Sequence, residues 1–459
     1  MLRFGTDGVR GRAFTELTTT YAERLGRAAA SVLGGGDWLI GRDTRESGPA
    51  LQQAFASGLR AGGASPRSVG VAPTPALAHL SAERRVPAAM ITASHNPWHD
   101  NGIKIFAAGG TKLPDDVERA IEAALDRLDD DLDRERDVPG GVGAAPVGVV
   151  DELGCDTYVA ALVARFPDAA LSGLRIVLDG ANGAMSVVAP QVARALGVDV
   201  VVIHADPDGR NINDRCGATA PETLAARVVA EGAALGLAFD GDGDRVIAVD
   251  HRGRIVDGDR LIGLAARQLR ESGELVDDTV VVTVMTNLGF RRAMADAGIR
   301  VLETAVGDRY VLEALDAGGY ALGGEQSGHI IYRRLATTGD GLLAGLRLAE
   351  HVVHRGRPLA ELADAVMTSY PQVLVNVTVA ERHPRIADEL AAEIAAAEAG
   401  LAGEGRILVR ASGTEPLVRV MVEAATSELA QATADGLAQV VRDRFGVRTG
   451  DLEGILREP

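Results

Sequence analysis

Short apolar runs that end in glycine-containing turns recur along the chain at long intervals. Residues 38–40, 175–178 and 280–285 are three such runs, and each leads into a turn and then an Ala-, Arg- and Leu-rich stretch, as at 189–196 and 290–297. A buried strand followed by a glycine turn and a helix is the pattern of parallel α/β structure. Because the three runs lie far apart, the sequence predicts three similar α/β domains.

The pattern changes after about residue 368. Residues 373–379 alternate between apolar and polar, as in an antiparallel strand, an Ala- and Glu-rich helix is predicted over 388–399, and another strand begins at Arg406. This is typical of a smaller α+β domain. The charged, Gly- and Pro-rich stretch 129–150 indicates a linker. The predicted domains are therefore 1–150, 151–254, 255–368 and 369–459.

Composition limits the partners that this chain can have. Its 459 residues include 47 basic and 64 acidic side chains, a formal net charge of −17, which opposes nucleic acids and anionic membranes. No apolar run approaches the roughly 18 residues of a membrane span, and the first residues lack the apolar core of a signal peptide. Cys155 and Cys216 lack metal-site spacing. The sequence predicts a cytoplasmic protein that binds neither nucleic acid nor membrane.

Polar clusters follow a second apolar strand in each predicted α/β domain. They are Ala93-Ser-His-Asn-Pro, Asp240-Gly-Asp-Gly-Asp-Arg and Gly323-Gly-Glu-Gln-Ser-Gly-His. Ligands of open parallel sheets bind at the carboxyl ends of the strands. All three clusters therefore lie where a functional site is expected.

The second cluster is a candidate metal site. Asp240, Asp242 and Asp244 alternate with glycines, which allow the backbone to curve and three carboxylates to point at one centre. Such hard oxygen ligands suit Mg²⁺ or Ca²⁺. An EF-hand loop is excluded, because Arg245 stands where its glycine is required. An acidic hairpin turn is the alternative, although it gains nothing from repulsion among three carboxylates.

The first cluster offers the hydroxyl of Ser94 beside His95, near Lys104. Lys104 and Lys112 are the only lysines, and neither follows a glycine, which excludes a GxxxxGK[ST] phosphate loop. The alternative for Ser94 is a helix N-cap or an Asx turn. A GxSxG elbow is absent here, so the sequence does not support an esterase.

A further segment, near the C-terminus, carries candidate phosphate-binding side chains. Arg410, Ser412, Gly413, Thr414 and Arg419 combine guanidinium groups, hydroxyls and a glycine turn after a strand, which suits a phosphate nest. A solvated loop is the alternative.

In the third cluster, Glu325 and Ser327 are candidates for binding sugar hydroxyls, with His329 beside them. A structural glycine turn is the alternative. Near the N-terminus, the segment Thr6-Asp-Gly-Val-Arg10-Gly is a further candidate part of the site. An Arg-capped turn is the alternative.

In combination these segments resemble the α-D-phosphohexomutases. The resemblance runs in consistent order from Phe4 to Val422 and rests on Phe4-Gly-Thr-Asp-Gly-Val-Arg-Gly, Ala93-Ser-His-Asn-Pro, Asp100-Asn-Gly-Ile-Lys, Asp240-Gly-Asp-Gly-Asp-Arg, Gly324-Glu-Gln-Ser-Gly-His and Ser412-Gly-Thr-Glu-Pro. Gln326, the opening motif, Asn211-Ile-Asn and Cys216-Gly-Ala-Thr favour glucosamine phosphate as substrate over mannose or glucose phosphate.

The resemblance implies four domains around a central cleft: three similar α/β domains with mixed sheets and a C-terminal α+β domain that moves. It implies that Ser94 carries a phosphoryl group and that Mg²⁺ is bound by Ser94, Asp240, Asp242 and Asp244. It also implies a hexosamine or glucose 1,6-bisphosphate as intermediate and activator. A homodimer is compatible with it.

The resemblance further places five side chains around the reacting centre: Arg10, His95, Lys104, Arg245 and His329. It implies that the loop formed by Arg410, Ser412, Gly413, Thr414 and Arg419 holds either phosphate of the intermediate. A lysine base needs neighbouring cations that lower its pKa. Lys104 is the first candidate for the base and His329 its rival, and the sequence leaves the choice open.

Other functions fit the same residues. A metal-dependent phosphatase would use the Ser and Asp groups but release inorganic phosphate. A non-catalytic Ca²⁺- or sugar-phosphate-binding protein would bind without interconversion. Within the family, phosphomannomutase or phosphoglucomutase activity is the closest alternative.

Overall fold

The computed structural model describes residues 2–5, 7–135, 154–167, 170–412 and 416–446. The chain divides into two compact units, residues 1–285 with 297–366 and residues 286–296 with 367–459. Among the described helices, none combines the length and apolar character needed to cross a membrane.

The first sheet of the larger unit is mixed and carries helices on its faces. Its strand order is β1-β5-β4-β2-β3, with β2 parallel to β3 and β4, and β5 antiparallel to β1 and β4. The strands are β1 Val9–Arg12, β2 Asp37–Arg42, β3 Ser65–Val71, β4 Ala88–Ile91 and β5 Asp100–Phe106, and the helices are α1 Thr19–Leu33, α2 Gly48–Ala61, α3 Thr74–Arg84 and α4 Asp115–Glu135.

The second sheet repeats this plan, in the order β10-β9-β8-β6-β7. Strand β6 is parallel to β7 and β8, and β9 is antiparallel to β8. The elements are α5 Asp156–Val163, β6 Arg175–Asp179, α6 Met185–Ala195, β7 Asp199–Ile203, α7 Glu222–Glu231, β8 Leu235–Phe239, β9 Val246–Asp250 and β10 Ile255–Val256.

The third sheet has the order β12-β11-β13-β14, with only β14 antiparallel to its neighbour. The elements of this region within the larger unit are α8 Gly258–Glu271, β11 Thr279–Thr283, β12 Arg300–Thr304, α10 Asp308–Gly318, β13 Leu322–Gly324, β14 Ile330–Tyr332, α11 Gly341–Arg355 and α12 Leu359–Val366.

The smaller unit contains an antiparallel sheet in the order β15-β17-β16. Its elements are α9 Leu288–Asp296, β15 Gln372–Thr378, α13 Ile386–Glu389, α14 Ala391–Gly400, β16 Arg406–Ala411, β17 Leu417–Glu423 and α15 Ser427–Phe445. Helix α9 follows β11 in the chain but groups with this unit. The predicted change of architecture after residue 368 agrees with this sheet.

The apolar runs form strands because the strands are covered on both faces. Every residue of β4, β8, β9 and β11 is buried, as expected for central strands of α/β sheets. The polar cluster that follows β4 and the one that follows β8 therefore begin where a rigid, buried strand ends.

The linker prediction is wrong at its start. Helix α4 extends from Asp115 to Glu135, so residues 129–135 of the predicted linker are helical. This segment contains neither Gly nor Pro, and its charged residues are compatible with a helix. The rest of the predicted linker, 136–150, lies outside the described residues.

Candidate active site

Ser94 lies in a tight loop directly after β4. Its φ is +53°, a left-handed conformation that costs a non-glycine residue of order 1–3 kcal/mol and is typically found at functional sites. The backbone N–H of Ser94 donates to Thr92 Oγ1 at 2.9 Å. The residue is 1% exposed, so the loop holds a buried hydroxyl in a fixed position.

A fully buried arginine, Arg45, binds the backbone of this loop. The guanidinium of Arg45 donates to the carbonyl oxygens of Ser94 at 2.9 Å, Asn96 at 2.8 Å and Asp100 at 2.9 Å. Its charge is balanced by Asp43, with 2.9 Å between Arg45 Nε and Asp43 Oδ2. Arg45 was not a predicted site residue, although the polar segment 43–47 that follows β2 was a usable signal.

Asn213 adds a second brace from the second α/β domain. Its side-chain amide donates to the carbonyl oxygens of Ser94 at 2.9 Å and Asn96 at 3.2 Å. The backbone N–H of Asn213 in turn donates to the carbonyl of Ala181 at 3.0 Å. The Ser94 loop is therefore fixed by two domains.

The aspartate triplet lies against Ser94. The Ser94 hydroxyl donates to Asp240 Oδ2 at 2.6 Å. A Cβ atom on Gly241 would lie 2.6 Å from the Ser94 carbonyl oxygen, so glycine is required for the two loops to approach this closely.

The triplet has the properties of a site for a hard divalent cation. One ligand oxygen from each of Asp240, Asp242 and Asp244 lies within 4.8 Å of the others, and all three residues are buried. Oδ1 of Asp242 and Oδ1 of Asp244 are buried without a hydrogen-bond partner among the described residues. Buried carboxylate oxygens without a hydrogen bond are costly, and these donors fit Mg²⁺.

The pKa values of Asp240 and Asp244 are shifted in opposite directions. Burial, together with the charges of Asp244 and Asp242, raises the pKa of Asp240 well above its ordinary value. Burial also opposes ionisation of Asp244, but the nearby charges of Lys104 and His329 outweigh it and hold the pKa of Asp244 well below its ordinary value.

Lys104 reaches the site from β5. The antiparallel register pairs it with Met90 of β4, and its Nζ lies 2.8 Å from Asp242 Oδ2, 3.1 Å from Asp244 Oδ2 and 2.9 Å from Asp7 Oδ2. Burial alone would lower the pKa of Lys104, but these carboxylates raise it well above its ordinary value. These contacts do not supply the neighbouring cations that a lysine base needs, because carboxylates surround the ammonium group.

Asp7 is another residue that the sequence analysis did not assign. It also pairs with Lys112 at 2.6 Å and with Arg10. The signal was the segment around Arg10, in which this aspartate lies three residues before the arginine. Asp7 thus links the N-terminal strand to the lysine of the site.

His95 lies beside the serine hydroxyl, and Arg245 and Arg10 act electrostatically on His95. His95 Nδ1 is 3.3 Å from Ser94 Oγ. Burial and the charges of Arg245 and Arg10 lower the pKa of His95 to about 4, so its imidazole is neutral near pH 7. The backbone N–H of Arg245 donates to Asp240 Oδ1 at 3.1 Å.

The third α/β domain contributes His329, with Glu325 and Ser327 on the same segment. His329 Nδ1 lies 3.6 Å from Asp244 Oδ1, and His329 Nε2 accepts a hydrogen bond from the backbone N–H of Gly339 at 3.1 Å. Burial would lower the pKa of His329, but Asp244 and Asp308 raise it. Glu325 Oε1 accepts from the backbone N–H of Gly307 at 3.1 Å, and Ser327 is exposed.

In the smaller unit, two arginines face each other across β16 and β17. Arg410 and Arg419 are direct register partners, and burial and the charge of Arg419 lower the pKa of Arg410. Like charges in such positions destabilise a sheet unless an anion lies between them. Ser412 is buried beside them. Gly413 and Thr414 lie outside the described residues.

Replacing Arg45 tests whether this residue positions the serine loop. Arg45→Lys keeps the charge but loses the planar fork, so the carbonyl groups of the loop lose partners and the position of the hydroxyl is less fixed. We expect a folded protein with kcat reduced about 10-fold or more and KM nearly unchanged, measured by steady-state kinetics. Arg60→Lys, at an exposed position of α2, is the control. A native kcat for Arg45→Lys would contradict a positioning role.

Sequence models of one family match most of the chain. They are those of phosphoglucomutase/phosphomannomutase: the α/β/α domains I, II and III and the C-terminal domain, which match residues 1–131, 156–253, 257–370 and 374–440 respectively. The predicted four-domain α/β fold is thus confirmed.

Two curated relatives are similar over nearly their whole length. The chain is 52% identical to a phosphoglucosamine mutase of Frankia casuarinae and 51% identical to one of Salinispora tropica, in each case over 96% of this chain and 98% of the relative.

Solved structures have the same fold at lower identity. Aspergillus fumigatus N-acetylphosphoglucosamine mutase in complex with GlcNAc-6P and magnesium superposes with a TM-score of 0.68 at 22% identity, over 96% of each chain. A variant of that enzyme in complex with glucose 1,6-bisphosphate gives 0.66 at 21% identity, over 97% of this chain and 96% of that one. Together with the four matched domains, these similarities show that the chain belongs to the phosphoglucomutase/phosphomannomutase family, the α-D-phosphohexomutases.

Proposed function

We propose that the chain is a phosphoglucosamine mutase, which interconverts glucosamine 6-phosphate and glucosamine 1-phosphate through a phosphoserine and a 1,6-bisphosphate intermediate. The observation that carries this proposal is the Ser94 hydroxyl, buried and 2.6 Å from Asp240 of the triplet, in a chain about half identical to phosphoglucosamine mutases. A phosphoryl group on this oxygen would lie at the metal-binding carboxylates.

Asp240, Asp242 and Asp244 would hold Mg²⁺, with an oxygen of Ser94 or of its phosphate as a further ligand. The bound ion would neutralise charge on the transferring phosphoryl group. The protein buries three carboxylates side by side, and a divalent cation would offset both their burial and their mutual repulsion. Burial, followed by the charges of Asp244 and Asp242, raises the pKa of Asp240.

Each half-reaction breaks one oxygen–phosphorus bond and forms another. In the first, the bond between Ser94 Oγ and phosphorus breaks and a bond between the sugar O1 and phosphorus forms, giving the 1,6-bisphosphate. After the intermediate turns around, the bond between O6 and phosphorus breaks and the bond to Ser94 Oγ forms again. Because the serine loop is braced by Arg45 and Asn213, its oxygen stays in place for both steps.

Protons must move in the opposite sense to the phosphoryl group. The sugar hydroxyl loses a proton as it attacks, and Ser94 Oγ gains one as it leaves. Lys104 and His329 both have raised pKa values, which favours the protonated form that donates to the leaving oxygen. Both remain candidates for the group that exchanges a proton with the sugar hydroxyl.

Recognition of substrate is divided between two segments. Glu325 and Ser327 would bind the hydroxyl or amino groups of the sugar. Arg410 and Arg419, which lack an acidic partner among the described residues, would bind phosphate together with Ser412. This site suits the intermediate, since a phosphate group looks the same to the arginine forks from either end of the sugar.

A coupled assay tests the proposed substrate. Glucosamine, mannose and glucose 6-phosphates are compared with Mg²⁺ and glucose 1,6-bisphosphate as activator, and inorganic phosphate is measured in parallel. We expect kcat/KM to be highest for glucosamine 6-phosphate, with no stoichiometric phosphate release. A higher kcat/KM for mannose or glucose 6-phosphate would contradict the substrate, and release of phosphate in step with turnover would indicate a phosphatase.

We also propose a cytoplasmic location. Both cysteines, Cys155 and Cys216, are free thiols in the structure, which suits a reducing compartment.

A further inference from the structure

A cavity of about 220 Å³ lies apart from the aspartate triplet, where the three α/β domains of the larger unit meet. Helix α3 of the first domain, the end of α5 in the second, and the segment between β14 and α11 in the third form its walls. Its polar lining includes His79, Tyr158, Arg165, Arg334, Thr337 and Asp340. The volume is below the about 300–1,000 Å³ of pockets for drug-sized ligands, which favours a small occupant.

The lining is rich in cationic groups that are not neutralised. The guanidinium groups of Arg165 and Arg334 have neither a hydrogen bond nor an ion pair with any residue that the structure describes, whereas their neighbour Arg333 pairs with Asp316. The one carboxylate in the lining, Asp340, is already engaged: it accepts hydrogen bonds from Tyr158 Oη at 3.0 Å and from the N–H of Leu343 at 2.9 Å.

Arg165 acts electrostatically on this cavity. Burial and the charge of Arg165 together lower the pKa of His79, and the same arginine lies close enough to Tyr158 and Asp340 to influence both. An unpaired guanidinium in a partly enclosed polar cavity is a group that an anion would stabilise strongly.

We propose that this cavity binds a small phosphate- or carboxylate-bearing anion, held by Arg165 and Arg334 with the hydroxyl of Thr337. Nothing in the phosphoryl-transfer reaction requires this site. It is therefore a separate, regulatory binding site, and anion binding here is independent of the proposed substrate.

The cavity shares its walls with two segments that hold active-site residues. Pro75 lines the cavity, and the preceding residue, Thr74, donates to Asp242 through both its N–H and its hydroxyl, each at 2.8 Å. Thr338 also lines the cavity, and the next residue, Gly339, donates to His329. A Cβ atom on Gly339 would lie 2.5 Å from the His329 ring, so the backbone of Gly339 packs directly against that ring. We therefore expect an anion in the cavity to change the affinity of the aspartate triplet for Mg²⁺.

Inorganic phosphate is the probe, and its binding is measured by equilibrium dialysis against radiolabelled phosphate. We expect Arg165→Gln to weaken one class of bound phosphate by about 10- to 100-fold, the loss expected for a hydrogen bond to a charged group. Arg334→Gln, at an exposed position, should act in the same direction, and Arg60→Gln should bind as the native protein does. Arg419→Gln should affect a different class of site. Native phosphate binding in both Arg165→Gln and Arg334→Gln would overturn the proposal.

The connection to the metal site has its own measurement. Because coupling between two sites is reciprocal, saturating phosphate should change the Mg²⁺ dissociation constant of the Ser94→Ala protein about 5-fold or more, and this change should disappear when Arg165→Gln is added. Equal Mg²⁺ affinities with and without phosphate would overturn the coupling. Neither measurement depends on turnover, so the result is independent of whether glucosamine phosphate is the substrate.

Discussion

Replacing Ser94 with alanine should leave a folded protein whose kcat is reduced by about four orders of magnitude or more. The hydroxyl is the proposed acceptor and donor of the phosphoryl group, and alanine leaves no oxygen at that position, whereas the neighbouring carboxylate of Asp240 is proposed to bind the metal. The measurement is the steady-state rate with glucosamine 6-phosphate, together with the thermal unfolding temperature.

Ser68→Ala is the matched control for this prediction. Ser68 is also a buried serine in the first α/β domain, and its hydroxyl accepts from Gln52 at 2.8 Å and from the N–H of Gly70 at 2.9 Å. It lies on β3, an edge strand that is separated from β4 and the serine loop by β2. We expect the control to lose some stability but keep near-native kcat. A Ser94→Ala protein as active as Ser68→Ala would refute the phosphoserine.

Asp240→Asn should have the second-largest effect, in opposite directions on activity and stability. With one carboxylate removed, Mg²⁺ binds more weakly and kcat falls by about 10³-fold, several kcal/mol of lost charge stabilisation. Without Mg²⁺ the variant should be more stable than the native protein near neutral pH. The folded-state pKa of Asp240 is raised, so ionising it costs folding free energy as pH rises above its unfolded value, and asparagine avoids that cost.

Thermal unfolding with and without Mg²⁺ tests this second prediction. Native protein should be stabilised by Mg²⁺ and Asp240→Asn much less so, whereas Asp199→Asn, at an exposed ion pair with Arg175, should respond as the native protein does. EDTA should abolish turnover in native protein and Mg²⁺ should restore it. An undiminished Mg²⁺ response in Asp240→Asn would contradict the assignment of the triplet as the metal site.

The parts of the fold that were predictable have local signals. An apolar run followed by a polar turn marks the end of a buried strand, and for this reason the sequence predicts Ser94 and the aspartate triplet as candidate site residues. The structure brings them within hydrogen-bond distance, because the carboxyl ends of β4 and β8 each present a loop to the same place. Four domains were predicted and confirmed, whereas the roles of individual site residues remain predictions.

The residues that support the site had weaker signals. Arg45 and Asn213 contact the serine loop through carbonyl oxygens, and backbone acceptors leave no trace in the sequence. In the sequence, Asp7 is typical of a turn residue. Only the pairing of β1 with β5 places it beside Lys104. For the same reason the carboxylates that raise the pKa of Lys104 were not predicted: the sequence does not show which charges reach a buried amine.

The central claim is that Ser94 carries the phosphoryl group. Its most direct test is peptide mapping by mass spectrometry of native protein that has been incubated with Mg²⁺ and glucose 1,6-bisphosphate. We predict one phosphate per chain, located on Ser94, and none after the same treatment of Ser94→Ala. Phosphate on another residue, or a catalytically active protein that never becomes phosphorylated, would contradict it.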